Sequence, residues 1–425
     1  IVFKLKMQKE FKLNFLFYLM AFLPISIIIG SSFSLLNIFL IIVLFIIFHF
    51  SQKETEVQNR YVLNFFIFLY IYLLINTFLG IDFENSYLRN FGFVRFIILF
   101  FAINYFFIMF LKFNNLLNIW LVIISIVTFD CFYEVIFGSN IFGWGEFEDA
   151  SKQGQRLVSF FKDEPIVGSY LFSFFLILSG YILETNFKNK QIYFTLFFLL
   201  MLLIILLSGE RSNFLKAIIA SCIFLFVSKD ISKKYIIKLI LFLSVLFVIV
   251  FNTNSYLSDK YSYLFKFFSI EKNKVELKKN IYFELYKSGY LVFLDHKLFG
   301  VGQKNYGKYA SIKDVELKKA NNTTISFLII STHPHQIYIE FLSEHGILGT
   351  IILLGLFFYI FYKMIRIIIS SRNNIQIGCF CYLVSYFIPV LPSGSFFSDF
   401  NATLFWVNFS IFFAVSKKTN FFKLK

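Results

Sequence analysis

Charged residues are scarce in this chain: Asp, Glu, Lys and Arg make up 15% of 425 residues while hydrophobic residues make up 58%. That balance excludes a soluble globular protein of this size and points to a chain that crosses a membrane several times. The four cysteines, Cys131, Cys222, Cys379 and Cys381, all fall inside apolar runs, so no disulfide framework is expected. Cys379 and Cys381 are two residues apart and would point to different faces of a helix, which excludes a paired metal site there. No run alternates polar and apolar residues as a barrel strand would, and helices satisfy every backbone group in lipid. The first apolar run lacks a small-residue cleavage site, so no cleavable signal peptide is expected. Ile1 opens the chain, with Met7 the nearest conventional start.

What is present is a series of twelve apolar runs, near 13–30, 33–50, 61–80, 92–111, 115–137, 166–185, 191–208, 213–228, 237–252, 344–362, 376–392 and 400–415. A span needs about 20 apolar residues. The chain therefore reads as an all-α integral membrane protein of about twelve transmembrane helices. It divides into nine spans over 1–252, a large outer loop at 253–343, and three spans with a tail over 344–425. The 66 phenylalanines serve in lipid much as leucine does and carry no functional weight.

Lys and Arg set the orientation, because basic residues stay on the cytoplasmic side. Alternate connections carry Lys4, Lys6, Lys9 and Lys12, then Lys53 and Arg60, Lys112, Lys188 and Lys190, Lys229 to Lys238, Lys363 to Arg372, and finally Lys417 to Lys425. Those are the expected inside loops, and both termini fall among them. The net charge of +15 is thus mostly topological and does not argue for nucleic acid.

The residues with chemical potential collect on the opposite side. Before the sixth run stand Arg156, Asp163, Glu164, Pro165, Gly168, Ser169 and Tyr170, where Glu164 either caps a helix begun by Pro165 or binds substrate. Glu146, Glu148 and Asp149 read as a solvated acidic turn. Between the seventh and eighth runs, Ser208-Gly209-Glu210-Arg211-Ser212-Asn213 is so short that Arg211 must sit at the membrane surface. There it either anchors on headgroups or joins the backbone N–H groups of a helix start to hold a phosphate.

The large outer loop contains Leu277, Ile281 and Leu285 at four-residue spacing, expected to form an amphipathic helix on the membrane surface. A glycine turn follows at Asp295 to Gly302, where His296 reads as structural. The loop closes on Ser331-Thr332-His333-Pro334-His335-Gln336, opening the next helix. This histidine pair can act as a base, bind metal or cap. Three metal ligands at workable spacing are absent, which favours one imidazole as a general base. Asp130 and Glu134, near the outer end of the fifth run, read as structural or entrance residues.

Four segments in order, Arg156 to Tyr170, Ser208 to Arg211, Phe299 to Tyr306 and Thr332 to Gly349, resemble the O-antigen ligase and O-antigen polymerase family of bacterial envelope glycosyltransferases. The resemblance implies a GT-C-like helical fold in the bacterial inner membrane, with a large periplasmic loop between spans nine and ten. It implies a donor glycan on undecaprenyl diphosphate, an acceptor that is lipid A core or a second glycan, and no cofactor or metal. By motif, Arg211 corresponds to a diphosphate-binding arginine and His335 to the acceptor-activating histidine. Glu210, Arg156, Glu164 and His333 are expected nearby as binding residues. Where the family has a second phosphate-binding arginine this chain has Tyr282, with Lys278 and Lys279 as candidate substitutes. The first outer connection, Gly30-Ser31-Ser32, has no acidic residue, unlike that of metal-dependent relatives of this fold class. A lipid-linked oligosaccharide flippase or a non-catalytic scaffold is the alternative, the former expected to carry charges deep in several helices.

Overall fold

The computed structural model describes residues 13–52, 55–109, 113–145, 156–253, 258 and 281–425. Apolar runs fold as helices because no other backbone satisfies its own hydrogen bonds in lipid. They are α1 (13–21), α2 (Leu23–Ile29), α3 (Ser31–Gln52), α4 (Arg60–Leu79), α5 (Phe83–Gly92), α6 (Val94–Met109), α7 (Phe113–Phe137) and α8 (Val167–Glu184). There follow α9 (Lys190–Leu207), α10 (Arg211–Val227), α11 (Lys233–Thr253), α12 (Ile281–Asp295), α13 (Tyr306–Ala320), α14 (Ile337–Ser371), α15 (Asn374–Ser385) and α16 (Asp399–Ala414). Polar side chains mark several starts: Asp82, Gln336, Asn373 and Ser398 each accept a backbone N–H from the first turn that follows.

Among the described residues, eight helices are long and apolar enough to cross a membrane. The chain is an all-α membrane protein, but four of the twelve expected spans are formed by helices too short to cross a bilayer alone. The run at 13–30 breaks at a turn on Phe22, α10 has 17 residues, α15 has 12 and α16 has 16. At about 1.5 Å of rise per residue, these fall short of a bilayer core about 30 Å thick. The reason lies partly in position. Every residue of α16 from Ala402 to Ala414 is buried, as are Asn374 to Cys379 in α15, so other helices rather than lipid surround them. Helix α8, buried from Tyr170 to Leu183, packs against α15, and α6 packs against α16. Phenylalanines fill this centre edge to face: Phe66 lies 5.7 Å from Phe409, and Phe65 5.8 Å from Phe357, between ring centroids.

A short antiparallel pair, β1 (Thr55–Val57) with β2 (Phe422–Leu424), ties the connection between α3 and α4 to the C-terminal segment. Asn59 reinforces it by donating to the carbonyls of Thr419 and Asn420. Those two segments therefore lie at one end of the bundle.

At the other end, the segment after α12 is latched to the helices. Val301 and Gly302 donate their N–H groups to the carbonyls of Ser343 and Glu344, and Ile81 donates to Val301. Asn76 holds both sides: its Nδ2 donates to the Glu344 carbonyl at 3.2 Å and its Oδ1 accepts from Gln303 N–H at 3.0 Å. Asn305 Nδ2 reaches Ser86, Asp82 and Val301. The approach requires glycine. Gly300 (φ 70°) and Gly346 (φ 64°) adopt left-handed backbone, and a Cβ on either would stand 2.4 Å from backbone carbon, nitrogen or oxygen of the facing segment. Gly346 also kinks the 35-residue α14. The motif Phe299 to Tyr306 is thus a plug that seats the segment between α12 and α13 on α4, α5 and the bend of α14.

The expected amphipathic helix is α12, with one difference. Leu277 lies outside the described residues, Ile281 is exposed, and the buried face is Leu285, Ser288, Gly289 and Val292.

Candidate functional site

His335 occupies the last residue but one before α14, at φ 56°, a left-handed backbone that a β-carbon disfavours. Its carbonyl accepts the N–H of Ser393 at 2.8 Å, which holds that backbone in place. Its Nε2 lies 3.3 Å from Ser331 Oγ, the His333 ring lies tilted against it at 4.0 Å between centroids, and the Tyr282 ring presents an edge at 6.3 Å. His333 Nδ1 pairs with Thr332 Oγ1 at 3.0 Å. Burial holds the His335 imidazole below its ordinary value. His333 is pushed down to about 4, by burial first and then by His335, against the backbone carbonyl of Ser393, which works in the opposite direction. Both rings are neutral at neutral pH, the form that can accept a proton.

Arg211 is the first residue of α10, as the shortness of its turn requires, and it is half-buried. Gly209 makes the turn at φ 74°. Glu210 then reaches back across the bundle, accepting from Gly168 N–H at 2.6 Å, Ser169 N–H at 3.2 Å and Asn213 Nδ2 at 2.6 Å. It caps α8. Burial raises its carboxyl to about 7, opposed by Asn213, the Gly168 N–H, the Arg156 guanidinium and the Ser169 N–H.

Glu164 was a candidate for that cap, and it does not fill it. The helix begins only at Val167, after a bend at Ile166 that takes no side-chain cap of its own. Pro165 precedes the start by two residues, so the first free N–H groups belong to Gly168 and Ser169 and face Glu210. Glu164 instead lines a cavity of about 410 Å³ with Asp163, Gly30, Ser31 and Asp399. Neither Arg211 nor His335 borders that cavity.

The two motif residues are joined through a segment that sequence inspection passes over, residues 387–396. Ser212, next to Arg211, donates its hydroxyl to the Pro392 carbonyl, and the adjacent Ser393 donates to His335. The same segment accepts Tyr338 OH at Phe387 (2.6 Å) and Tyr286 OH at Val390 (3.1 Å). It also donates to the Glu340 carboxylate from Ser395 Oγ (2.6 Å) and Phe396 N–H (3.1 Å). Helices α10, α12 and α14 thus converge on one stretch of backbone.

Arg156 enters the site region on a stretch pinned from below. Glu134 accepts from the N–H groups of Val158 (2.9 Å) and Ser159 (2.7 Å), while Asp130 accepts from Ser159 Oγ (2.5 Å) and Ile141 N–H (3.1 Å). Both carboxylates of the fifth run are therefore anchors for the 156–166 connection. Lys278 and Lys279 lie outside the described residues, as do Glu146, Glu148 and Asp149. Two features went unread in the sequence: Arg89 and Arg95, which converge on Asp399 at the start of α16, and Lys216, buried inside α10. The first needed the fold to bring distant residues together. The second was visible as a lone lysine five positions after Arg211. Among the described residues no three His, Cys, Asp or Glu side chains are grouped to hold a metal ion.

Residues 196–354 match the family model described as O-antigen ligase. No curated protein matches the chain. The matched stretch runs from α9 into α14 and takes in Ser208 to Arg211, Phe299 to Tyr306 and Thr332 to Gly349, three of the four motifs, which supports the resemblance to the O-antigen ligase and O-antigen polymerase family.

Proposed function

We propose that the protein transfers a glycan from undecaprenyl diphosphate to an acceptor hydroxyl, without a metal, at the periplasmic face of the bacterial inner membrane. The observation that carries this reading is the link from Arg211 to His335: two motif residues far apart in sequence are tied through the neighbouring Pro392 and Ser393. A cation and a neutral imidazole on one rigid framework suit a reaction that moves one proton and releases one anion.

In the reaction, the acceptor oxygen attacks the anomeric carbon of the donor. The new C–O bond forms as the bond from that carbon to the diphosphate oxygen breaks, and the electron pair leaves with the undecaprenyl diphosphate. His335 takes the hydroxyl proton as the oxygen attacks. Arg211, at the positive end of α10, stabilises the charge that builds on the leaving diphosphate. Glu210 keeps the turn fixed through its bonds to α8. Arg156, His333 and Tyr282 are binding residues near these two, with Lys278 and Lys279 as further cations, and Glu164 binds substrate from the separate cavity that it lines with Asp163 and Asp399. The absence of an acidic residue in Gly30-Ser31-Ser32 favours a metal-free course.

The pairing of β1 with β2 supports the orientation read from the lysines, because it brings together the connection after α3 and the C-terminal segment, two segments that the lysines assign to one side. Lipid A core as acceptor makes the enzyme a ligase, and a second carrier-linked glycan makes it a polymerase.

Transfer in liposomes tests the reading: purified protein with undecaprenyl diphosphate-linked oligosaccharide, with and without lipid A core, products resolved by gel and mass spectrometry. Glycan on lipid A core identifies a ligase, and a ladder of carrier-linked glycan without it identifies a polymerase. No transfer in either arm sinks the reading and returns the flippase alternative.

A further inference from the structure

Lys216 is 4% exposed inside α10, and its ammonium lies 5.8 Å from the centre of the Tyr386 ring. Among the described residues no carboxylate pairs with it. A buried ammonium facing only an aromatic ring is poorly compensated, since the attraction of a ring face is small beside the cost of desolvating a charge. Such a residue inside a membrane helix marks a place where an anion arrives.

Its position says which place. Lys216 stands four residues after Ser212, on the same face of α10. Ser212 bonds Pro392, and Lys216 faces Tyr386, so that face of the helix abuts the stretch whose Ser393 holds His335 and the residue just before that stretch. Side chains in a helix lean toward its N-terminus, which tilts the ammonium of Lys216 toward the turn of Arg211. From Arg211 to Lys216 the helix rises roughly 7.5 Å and turns the two positions about 140° apart, a gap that two long flexible side chains and a diphosphate group bridge together.

We propose that Lys216 is a second cation of the Arg211 site, binding the phosphate nearer the lipid chain of a lipid-linked diphosphate; this rests on the donor reading above. Arginine at the surface and lysine one turn deeper then hold the two phosphates in the order in which a carrier standing in the bilayer presents them.

The full-length protein in phosphatidylcholine nanodiscs provides the test, with undecaprenyl diphosphate and phosphatidylglycerol titrated separately and binding read by native mass spectrometry. Lys216→Met should weaken undecaprenyl diphosphate binding by about ten-fold or more, the loss of one charge-assisted bond. It should leave phosphatidylglycerol binding unchanged, and Lys216→Arg should retain most of the affinity. Thermal melts accompany each variant. Lys216→Met binding the diphosphate as the wild type does overturns the proposal, as does an equal loss of both lipids with a lowered melting temperature. Loss of phosphatidylglycerol alone makes Lys216 a headgroup contact and also overturns it. Arg211→Ala separates the two levels: if it loses the diphosphate while Lys216→Met does not, only this inference fails. If the wild type binds no diphosphate, the donor reading falls and takes this one with it.

Discussion

The Glu210 carboxylate accepts the N–H of Gly168 at 2.6 Å, so the turn that begins α10 is also the cap of α8. Two connections that the sequence presents as separate motifs are therefore one structure. Gly168 permits the contact, because a Cβ there would stand 2.5 Å from Ser208 Oγ and 2.8 Å from Glu210 Oε1. Glu210→Ala leaves two backbone N–H groups and Asn213 without their acceptor and should cost about 1–3 kcal/mol, read as a lowered midpoint in thermal unfolding.

The same residue gives a pH signature. Its folded carboxyl is raised from 4.5 to about 7. A raised carboxyl favours the protonated folded state, so its contribution is full below pH 4.5 and is lost as pH rises toward about 7. Glu210→Gln should flatten that part of the stability profile. An unchanged slope between those values in the variant would remove Glu210 as its source.

The helices were legible because apolar runs of span length have one backbone solution in lipid, and Arg211 was legible because six residues leave a turn nowhere else to go. What was not legible depended on groups every residue carries. The stretch 387–396 holds no titratable side chain, and it organises the site through the carbonyls of Phe387, Val390 and Pro392 and the N–H of Ser393. The cap of α8 failed for a related reason: Pro165 correctly signals a nearby helix start, but the free N–H groups meet a carboxylate from another connection. The span expected at 376–392 is helical only over Asn374–Ser385, in α15, since hydropathy does not distinguish a residue buried by protein from one facing lipid.

The plug formed by Phe299 to Tyr306 makes a sharp prediction about backbone. Gly300→Ala would place a Cβ 2.4 Å from the carbonyl carbon of Glu344 at a φ of 70°. Backbone cannot yield as a side-chain tip can, so the outer segment should detach from the bend of α14. Limited proteolysis should then cut between α12 and α14 in the variant at protease levels that spare the wild type, and transfer should fall with it.

Arginine at 211 differs from lysine there in shape as well as charge. A guanidinium presents two parallel donors to a phosphate, whereas an ammonium is a point. Arg211→Ala should abolish transfer with membrane insertion intact, and Arg211→Lys should restore only part of the rate. Full activity in the lysine variant would reduce the role of Arg211 to simple charge.

His335 should set the acid limb of the rate profile. Burial holds its imidazole below 6.5, so the base stays unprotonated as pH falls through the ordinary histidine range, and the rate should hold flat there and decline only at lower pH. His335→Ala should lower transfer by roughly 10²–10⁴-fold and abolish that limb. His333→Ala removes the neighbouring ring that shares its burial, 4.0 Å away between centroids, and opens the site to water. The acid limb of that variant should therefore move up toward 6.5, the ordinary value. A limb that stays in place in His333→Ala while disappearing in His335→Ala would make His333 a spectator. A limb that persists in His335→Ala would identify a different base.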